Sequence, residues 1–165
     1  MPPIDTVYSI KSDYDCAFIC TPPIFHVSHS MTFINKNVPV FIEKPLSFDN
    51  KRVKELQNKA RKNNCLAFVG YNFRFNNGLK RVKELIKNNS LGKTLHASSY
   101  FGQYLPNWRP TQNYTKSYTG IKKFGGGIIL DSSHEIDYLR WLFGEPEYIQ
   151  SDFVQVSHLK TDVDG

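Results

Sequence analysis

With three cysteines in 165 residues, the chain has too few for a disulfide framework and spaces them wrongly for a zinc site. Cys16 and Cys20 lie in an apolar run that reads as a strand. Residues four apart on a strand share a face roughly 13 Å apart, beyond the reach of a disulfide. No second ligand pair completes a tetrahedral metal site. Buried, reduced thiols in a cytosolic protein are therefore expected. Long apolar runs are missing too: nothing of about 18 residues is present to cross a bilayer, and no basic-then-apolar leader opens the chain. The expectation is a soluble, cytoplasmic protein with no membrane partner.

Acidic residues are scarcer than basic ones, 15 against 21, for a net charge of +6. Such a balance attracts polyanions of any kind. The lysines are spread over two helical stretches instead of forming one stripe, and no aromatic–basic interleaving accompanies them. Nucleic acid is therefore the poorest partner, and a solvated basic surface the plainest account. What the chain does have is apolar material: 40% hydrophobic and 14% aromatic residues. That fills a core and excludes a disordered chain.

Residues 15–20, Asp-Cys-Ala-Phe-Ile-Cys, form a continuous apolar run halted by Thr21-Pro22-Pro23. A run apolar on both faces and closed by prolines predicts a buried parallel strand. A helix follows over 27–37, then a second buried strand from Val38 to Glu43, stopped by Lys44-Pro45. Ser47 or Asp49 is positioned to cap a helix through about Asn63, with Val53, Leu56 and Ala60 at helical spacing. A third strand (66–70) and a helix (77–89) complete a strand–helix alternation typical of a parallel sheet. The hexapeptide Lys-Arg-Val-Lys-Glu-Leu occurs at 51–56 and again at 80–85. Two copies do not make a solenoid, which needs three or more stacking units. Beyond Gly92 the texture changes: 93–104 and 147–159 read as strands, 105–124 as irregular, and Gly125-Gly126-Gly127 as the opening of a helix to about Phe143. The fold class is α/β, part of a Rossmann-like parallel sheet over 1–92 followed by the start of an α+β unit over 93–165.

In open parallel sheets ligands sit at the carboxyl ends of the strands. Three polar punctuations fall there: Thr21-Pro22-Pro23, Glu43-Lys44-Pro45 and Tyr71-Asn72-Phe73-Arg74. A single lysine after a strand is usually a solvated turn residue; three such words on one sheet edge point to a site. A second set lies on the 128–143 stretch, where Asp131, His134 and Tyr138 share a helix face and Ile129, Ile136, Leu139 and Phe143 cover another. A histidine with an acid one turn before it suits a general base, although alone it more often sits at a core edge. The glycine triplet ahead of it allows close backbone approach and offers N–H groups to a polar ligand, or else serves as a hinge.

Together these residues resemble the Gfo/Idh/MocA family of glucose–fructose oxidoreductases and inositol dehydrogenases. The resemblance runs in order through Asp15–Cys20, Thr21–His26, Val40–Leu46 with Glu43-Lys44-Pro45, Val69–Phe75, Leu91-Gly92-Lys93, Trp108-Arg109-Pro110 and Gly125 through Pro146. It implies a nicotinamide cofactor, NAD or NADP, and a sugar, nucleotide-sugar or polyol substrate, in a homo-oligomer when full length. It implies roles as well. Lys44 hydrogen-bonds the substrate hydroxyl, His134 moves its proton, and Asp131 orients His134. Thr21, Pro22, Pro23, His26, Glu43, Lys44, Asn72 and Arg109 line the cofactor side, while Tyr118 joins Lys44, Asp131 and His134 at the substrate. Many members place the acid four residues before the histidine; here the spacing is three. The run from Ser133 to Tyr138 is similar to members associated with nucleotide sugars and sialic-acid-like sugars.

The family's glycine-rich turn should precede Asp15, yet no G-x-G-x-x-G occurs anywhere in the sequence. That turn gives backbone N–H groups to the pyrophosphate, so much of the cofactor affinity is expected to be missing. An unpaired sheet edge is expected with it. Two readings follow: part of an NAD(P)-dependent sugar dehydrogenase, or a truncated chain without catalysis that associates with a partner through its exposed sheet.

Overall fold

The computed structural model describes residues 14–152 and 154–163. By contact they group into two compact units, residues 14–70 with Lys123–Gly125, and Tyr71–Lys122 with residues 126–163.

The first unit is built on three short parallel strands, β1 (Ala17–Ile19), β2 (Val40–Ile42) and β3 (Ala67–Val69), in the order β1-β2-β3. The register pairs Ile19 with Ile42 and Ile42 with Val69, so the three chains leave the sheet side by side. Helix α1 (His26–Ile34) joins β1 to β2, and α2 (Val53–Lys62) joins β2 to β3. With neighbouring strands sequential, right-handed crossovers put both helices on the same face, and α1 packs against α2, β1 and β2 accordingly. Ala17, Ile19, Val40, Ile42, Val27, Met31, Ile34, Leu56 and Ala60 form the core beneath them.

The other face explains two departures from the sequence reading. A strand apolar on both faces predicts cover on both, but Phe18 is 68% exposed, and rings of Phe18, Phe41 and Phe68 ladder across that face at centroid spacings of 5.4 and 5.5 Å. Cys16 and Cys20 flank β1 and are exposed, contrary to the expected burial; only Cys65 is buried. Burial pushes the Cys65 thiol up, away from thiolate chemistry. Helix α2 also starts later than expected. Ser47 and Asp49 do not cap it: their side chains accept from the backbone N–H groups of Asp49 and Lys51 in the preceding turn. The helix instead begins after Arg52, which has a left-handed φ of 58°.

The second unit contains α3 (Asn77–Lys87), α4 (Leu105–Trp108), α5 (Ile128–Asp131) and α6 (Ser133–Phe143). Asn76 caps α3 by accepting from the Leu79 N–H, and α3 packs on α6. The single helix expected over 128–143 is broken at Ser132 (φ −95°, ψ 22°). Segments 93–104 and 147–159 form no strand among the described residues, Phe153 lying outside them. A strand exists only where a ladder partner satisfies its backbone, and none meets these segments here. Their apolar side chains stay exposed, as at Leu95, Tyr100, Ile149 and Val156. No helix among the described residues is long and apolar enough to cross a membrane.

Candidate active site

In the first unit the sheet register gathers the sequence-predicted residues at the carboxyl edge. The Glu43 N–H donates to the Ile19 carbonyl at 2.9 Å, and the Gly70 N–H to the Ile42 carbonyl at 2.8 Å. These bonds align the exits of all three strands. Thr21 and Pro22 are half-buried and Pro23 buried after β1; Glu43 and Lys44 are half-buried after β2, ahead of a cis Lys44–Pro45 bond. Histidines tie this edge together from α1. His26 is 1% exposed, its Nδ1 lying 2.7 Å from the Pro45 carbonyl and its Nε2 2.6 Å from the Thr21 carbonyl. His29 Nδ1 stands 3.3 Å from Thr21 Oγ1, and its ring stacks on Phe25. Burial lowers the His29 pKa below the ordinary histidine value, and the nearby His26 lowers it further. His26, expected to line the cofactor, therefore spends both ring nitrogens on the protein backbone.

The second unit holds the other set. Asp131 ends α5 and is buried; His134 falls in the first turn of α6 and is half-buried. The break at Ser132 replaces the continuous helix face on which the two were expected. His134 is set by aromatic contacts: its ring stacks on Phe73 at 4.5 Å with planes 17° apart, and Tyr71 approaches edge-on at 5.9 Å. Asn72 is exposed in the same turn, which runs Asn72–Phe75. Arg109, also exposed, lays its guanidinium over the half-buried Tyr118 ring at 5.4 Å. Asp131 also borders a cavity of about 520 Å³ lined by Tyr104, Trp108, Thr119 and Ile128 among others. Lys44 thus belongs to the first unit, and His134 with Asp131 to the second.

The glycine triplet allows the close backbone approach expected of it, but the backbone it approaches is the protein's own. The Gly126 N–H donates to the Ile121 carbonyl and the Gly127 N–H to the Thr119 carbonyl, each at 3.1 Å. Those donors are used internally, so they offer nothing to a ligand. A Cβ on Gly126 would stand 2.3 Å from the Tyr118 carbonyl oxygen, and Gly127 adopts φ 115° where α5 starts. The triplet is a packing device that lets α5 start hard against residues 118–121.

Sequence reasoning missed one pair. Arg74 Nε and Nη2 donate to the Asp137 carboxylate at 2.8 and 2.7 Å across 63 residues of chain. The bond pushes the Arg74 guanidinium up. This fork fastens the Asn72–Phe75 turn to α6 and thereby fixes Phe73 under His134. The Tyr-Asn-Phe-Arg word marked the turn, but nothing local named its partner. Asp137 is 8% exposed on its side chain and Arg74 43%, so the stranded arginine can reach water. Asp137→Ala is accordingly expected to cost about 2 kcal/mol, below the range for a fully buried pair. Urea unfolding gives the loss, and near-ultraviolet circular dichroism reads the loosened Phe73 stack.

Comparison with known proteins agrees with both halves. Residues 3–71 match the family described as an oxidoreductase family with an NAD-binding Rossmann fold, and residues 79–165 match the GFO/IDH/MocA C-terminal domain. A 2,7-anhydro-N-acetylneuraminate hydratase of Mediterraneibacter gnavus is 26% identical over 156 residues, covering 94% of this chain and 40% of the relative. The crystal structure of myo-inositol 2-dehydrogenase from Lactobacillus plantarum has a TM-score of 0.70 at 26% identity, covering 85% of this chain and 40% of that one. The WlbA dehydrogenase of Chromobactrium violaceum, solved with NADH and UDP-GlcNAcA, has a TM-score of 0.77 at 21% identity, covering 97% and 45%. That last likeness concerns the fold alone. The chain spans less than half the length of each of these proteins.

Proposed function

The chain belongs to the GFO/IDH/MocA oxidoreductase family, and from that premise we propose that it serves hydride transfer between NAD(P) and a hydroxyl-bearing carbon of a sugar, nucleotide sugar or polyol. The observation that supports this most is the carboxyl edge of the sheet, where backbone bonds align the Thr21-Pro22-Pro23 and Glu43-Lys44-Pro45 turns. That edge fits the nicotinamide end of a dinucleotide. Thr21, Pro22, Pro23 and Glu43 would hold it; the sequence has no G-x-G-x-x-G for the pyrophosphate.

When bound, the nicotinamide supplies or accepts the hydride. The chain's residues handle the proton and the oxygen. Lys44 donates a hydrogen bond to the reacting hydroxyl and stabilises negative charge on its oxygen. His134 takes that proton as the carbonyl forms and returns it in the reverse direction. Phe73 and Tyr71 hold the His134 ring, and Asp131 orients it. The names of relatives support the substrate class: one acts on a sialic-acid derivative, another on myo-inositol.

NADH and NADPH titrated against the purified chain by fluorescence, with an oxidation assay over inositols, hexoses and UDP-sugars, test the reading. Saturable binding with turnover of one of these classes is the expected result; no saturable binding of either nucleotide overturns it. His134→Ala is expected to lower turnover about a hundredfold, read as kcat with NADH affinity retained.

A further inference from the structure

His26 has a hydrogen-bond arrangement that a neutral imidazole cannot supply. A neutral ring has one N–H and one lone pair. Here both nitrogens face carbonyl oxygens, Pro45 at 2.7 Å and Thr21 at 2.6 Å. With one proton only, a nitrogen lone pair and a carbonyl oxygen would be pressed together inside hydrogen-bond distance. With two protons, both contacts become charge-assisted bonds, which run shorter than the usual N–H···O length of about 2.9 Å. The site is 1% exposed, so water cannot replace either bond, and a buried charge is tolerated only when hydrogen-bonded on all sides.

We infer that His26 is a positioning residue, a doubly donating imidazolium whose two N–H groups tie the Thr21 and Pro45 carbonyls together and so hold Lys44 at the sheet edge. The acceptors lie on different strand exits, 19 and 5 residues from His26. One side chain therefore sets the spacing of the two turns that flank the proposed nicotinamide end. The titratable residues next to the clamp along the chain are His29 one turn on, Cys20 before Thr21, and Glu43 and Lys44 before Pro45. His29, one helical turn on, is shifted down chiefly by its own burial, with the neighbouring His26 adding to it. Thr21 is held twice, through its carbonyl by His26 and through its hydroxyl by His29. This assignment rests on the reading of Lys44 as the residue that meets substrate.

Histidine-labelled chain observed by nitrogen-15 NMR at neutral pH tests the clamp directly. The His26 signals are assigned by their disappearance in His26→Gln. Both ring nitrogens are expected to be of the protonated type and to exchange slowly with solvent; one unprotonated nitrogen overturns the inference, whatever the activity. In the turnover assay, His26→Gln is expected to lower kcat ten- to about a hundredfold, with the substrate KM within about threefold of wild type. An unchanged kcat per NADH-binding site means that His26 only supports folding, and overturns the positioning role. Should His26→Gln not fold, the wild-type NMR signature still decides, with His26→Asn supplying the assignment. If the wild-type chain turns nothing over, the oxidoreductase reading fails separately, and the ring-nitrogen signature alone decides the clamp.

Discussion

Lys44→Ala is expected to lower turnover by about three orders of magnitude while leaving NADH affinity within a few-fold of wild type. Lys44 follows β2 at the sheet edge and is half-buried. A half-buried ammonium meets a reacting oxygen with less solvent screening than one in open water. The neighbouring turn is held by His26 through backbone carbonyls, so removing the lysine side chain leaves those bonds intact. The loss should therefore fall on kcat, the pattern of an interaction made chiefly in the transition state. Lys44→Arg should recover little, because a planar guanidinium does not place its charge where an ammonium does. Steady-state kinetics with a parallel NADH titration separate the two parameters. Turnover within tenfold of wild type would remove Lys44 from the chemistry.

The second large effect concerns folding. Gly126→Ala puts a Cβ 2.3 Å from the Tyr118 carbonyl oxygen and 2.5 Å from that of Thr119. Both obstacles are backbone, so no rotamer change relieves them. The segment must move, which breaks the bonds from the Gly126 and Gly127 N–H groups. A cost of about 3 kcal/mol or more is expected, seen as a lowered urea midpoint and loss of α5 and α6 helicity. Gly102→Ala is the control: its nearest neighbour is the Tyr100 hydroxyl at 3.5 Å, and stability should barely change. Because α5 and α6 carry Asp131 and His134, the Gly126 variant should also lose turnover. A midpoint equal to wild type would mean that the backbone yields freely there.

The first unit was largely legible in the chain. Apolar runs ended by Thr-Pro-Pro and Glu-Lys-Pro announce short strands, because a proline cannot continue a ladder and a polar turn must follow; they are not buried on both faces, as the exposed Phe18 shows. Strand, helix and strand follow at spacings that a parallel sheet requires, and β1, α1, β2, α2 and β3 occur in the order the pattern gives, with α2 starting later than its expected caps. Lys44 was marked for the same reason, by its position after a strand. The second unit was much less legible. Alternating residues over 93–104 and 147–159 are compatible with strands, but strands also need partners, and pairing is a property of two segments. The Arg74–Asp137 fork and the use of both His26 nitrogens were likewise beyond local reading. Each joins groups that only the folded chain brings together.

The repeated hexapeptide separates these two sources of structure most cleanly. Lys-Arg-Val-Lys-Glu-Leu forms the same local ion pair in both copies, Arg52 with Glu55 at 2.8 Å and Arg81 with Glu84 at 3.2 Å. A separation of three lets the two side chains meet in both copies, although only the second pair lies within a helix. The rest differs. In the first copy Arg52 takes a left-handed backbone conformation outside the helix and Leu56 is 3% exposed in the core; in the second, Arg81 lies within α3 and the equivalent Leu85 is only half-buried. Six identical residues carry the same propensities, so propensity cannot choose between these outcomes. The neighbours decide: α2 has α1 and the sheet core to cover its apolar stripe, whereas α3 packs on α6 and the Asn72–Phe75 turn. By itself the sequence determined the periodicities, the turns and the candidate chemistry at the strand ends. Burial, long-range pairing and the carbonyl contacts of both His26 nitrogens arose only in the tertiary structure, because each depends on which groups the fold brings together.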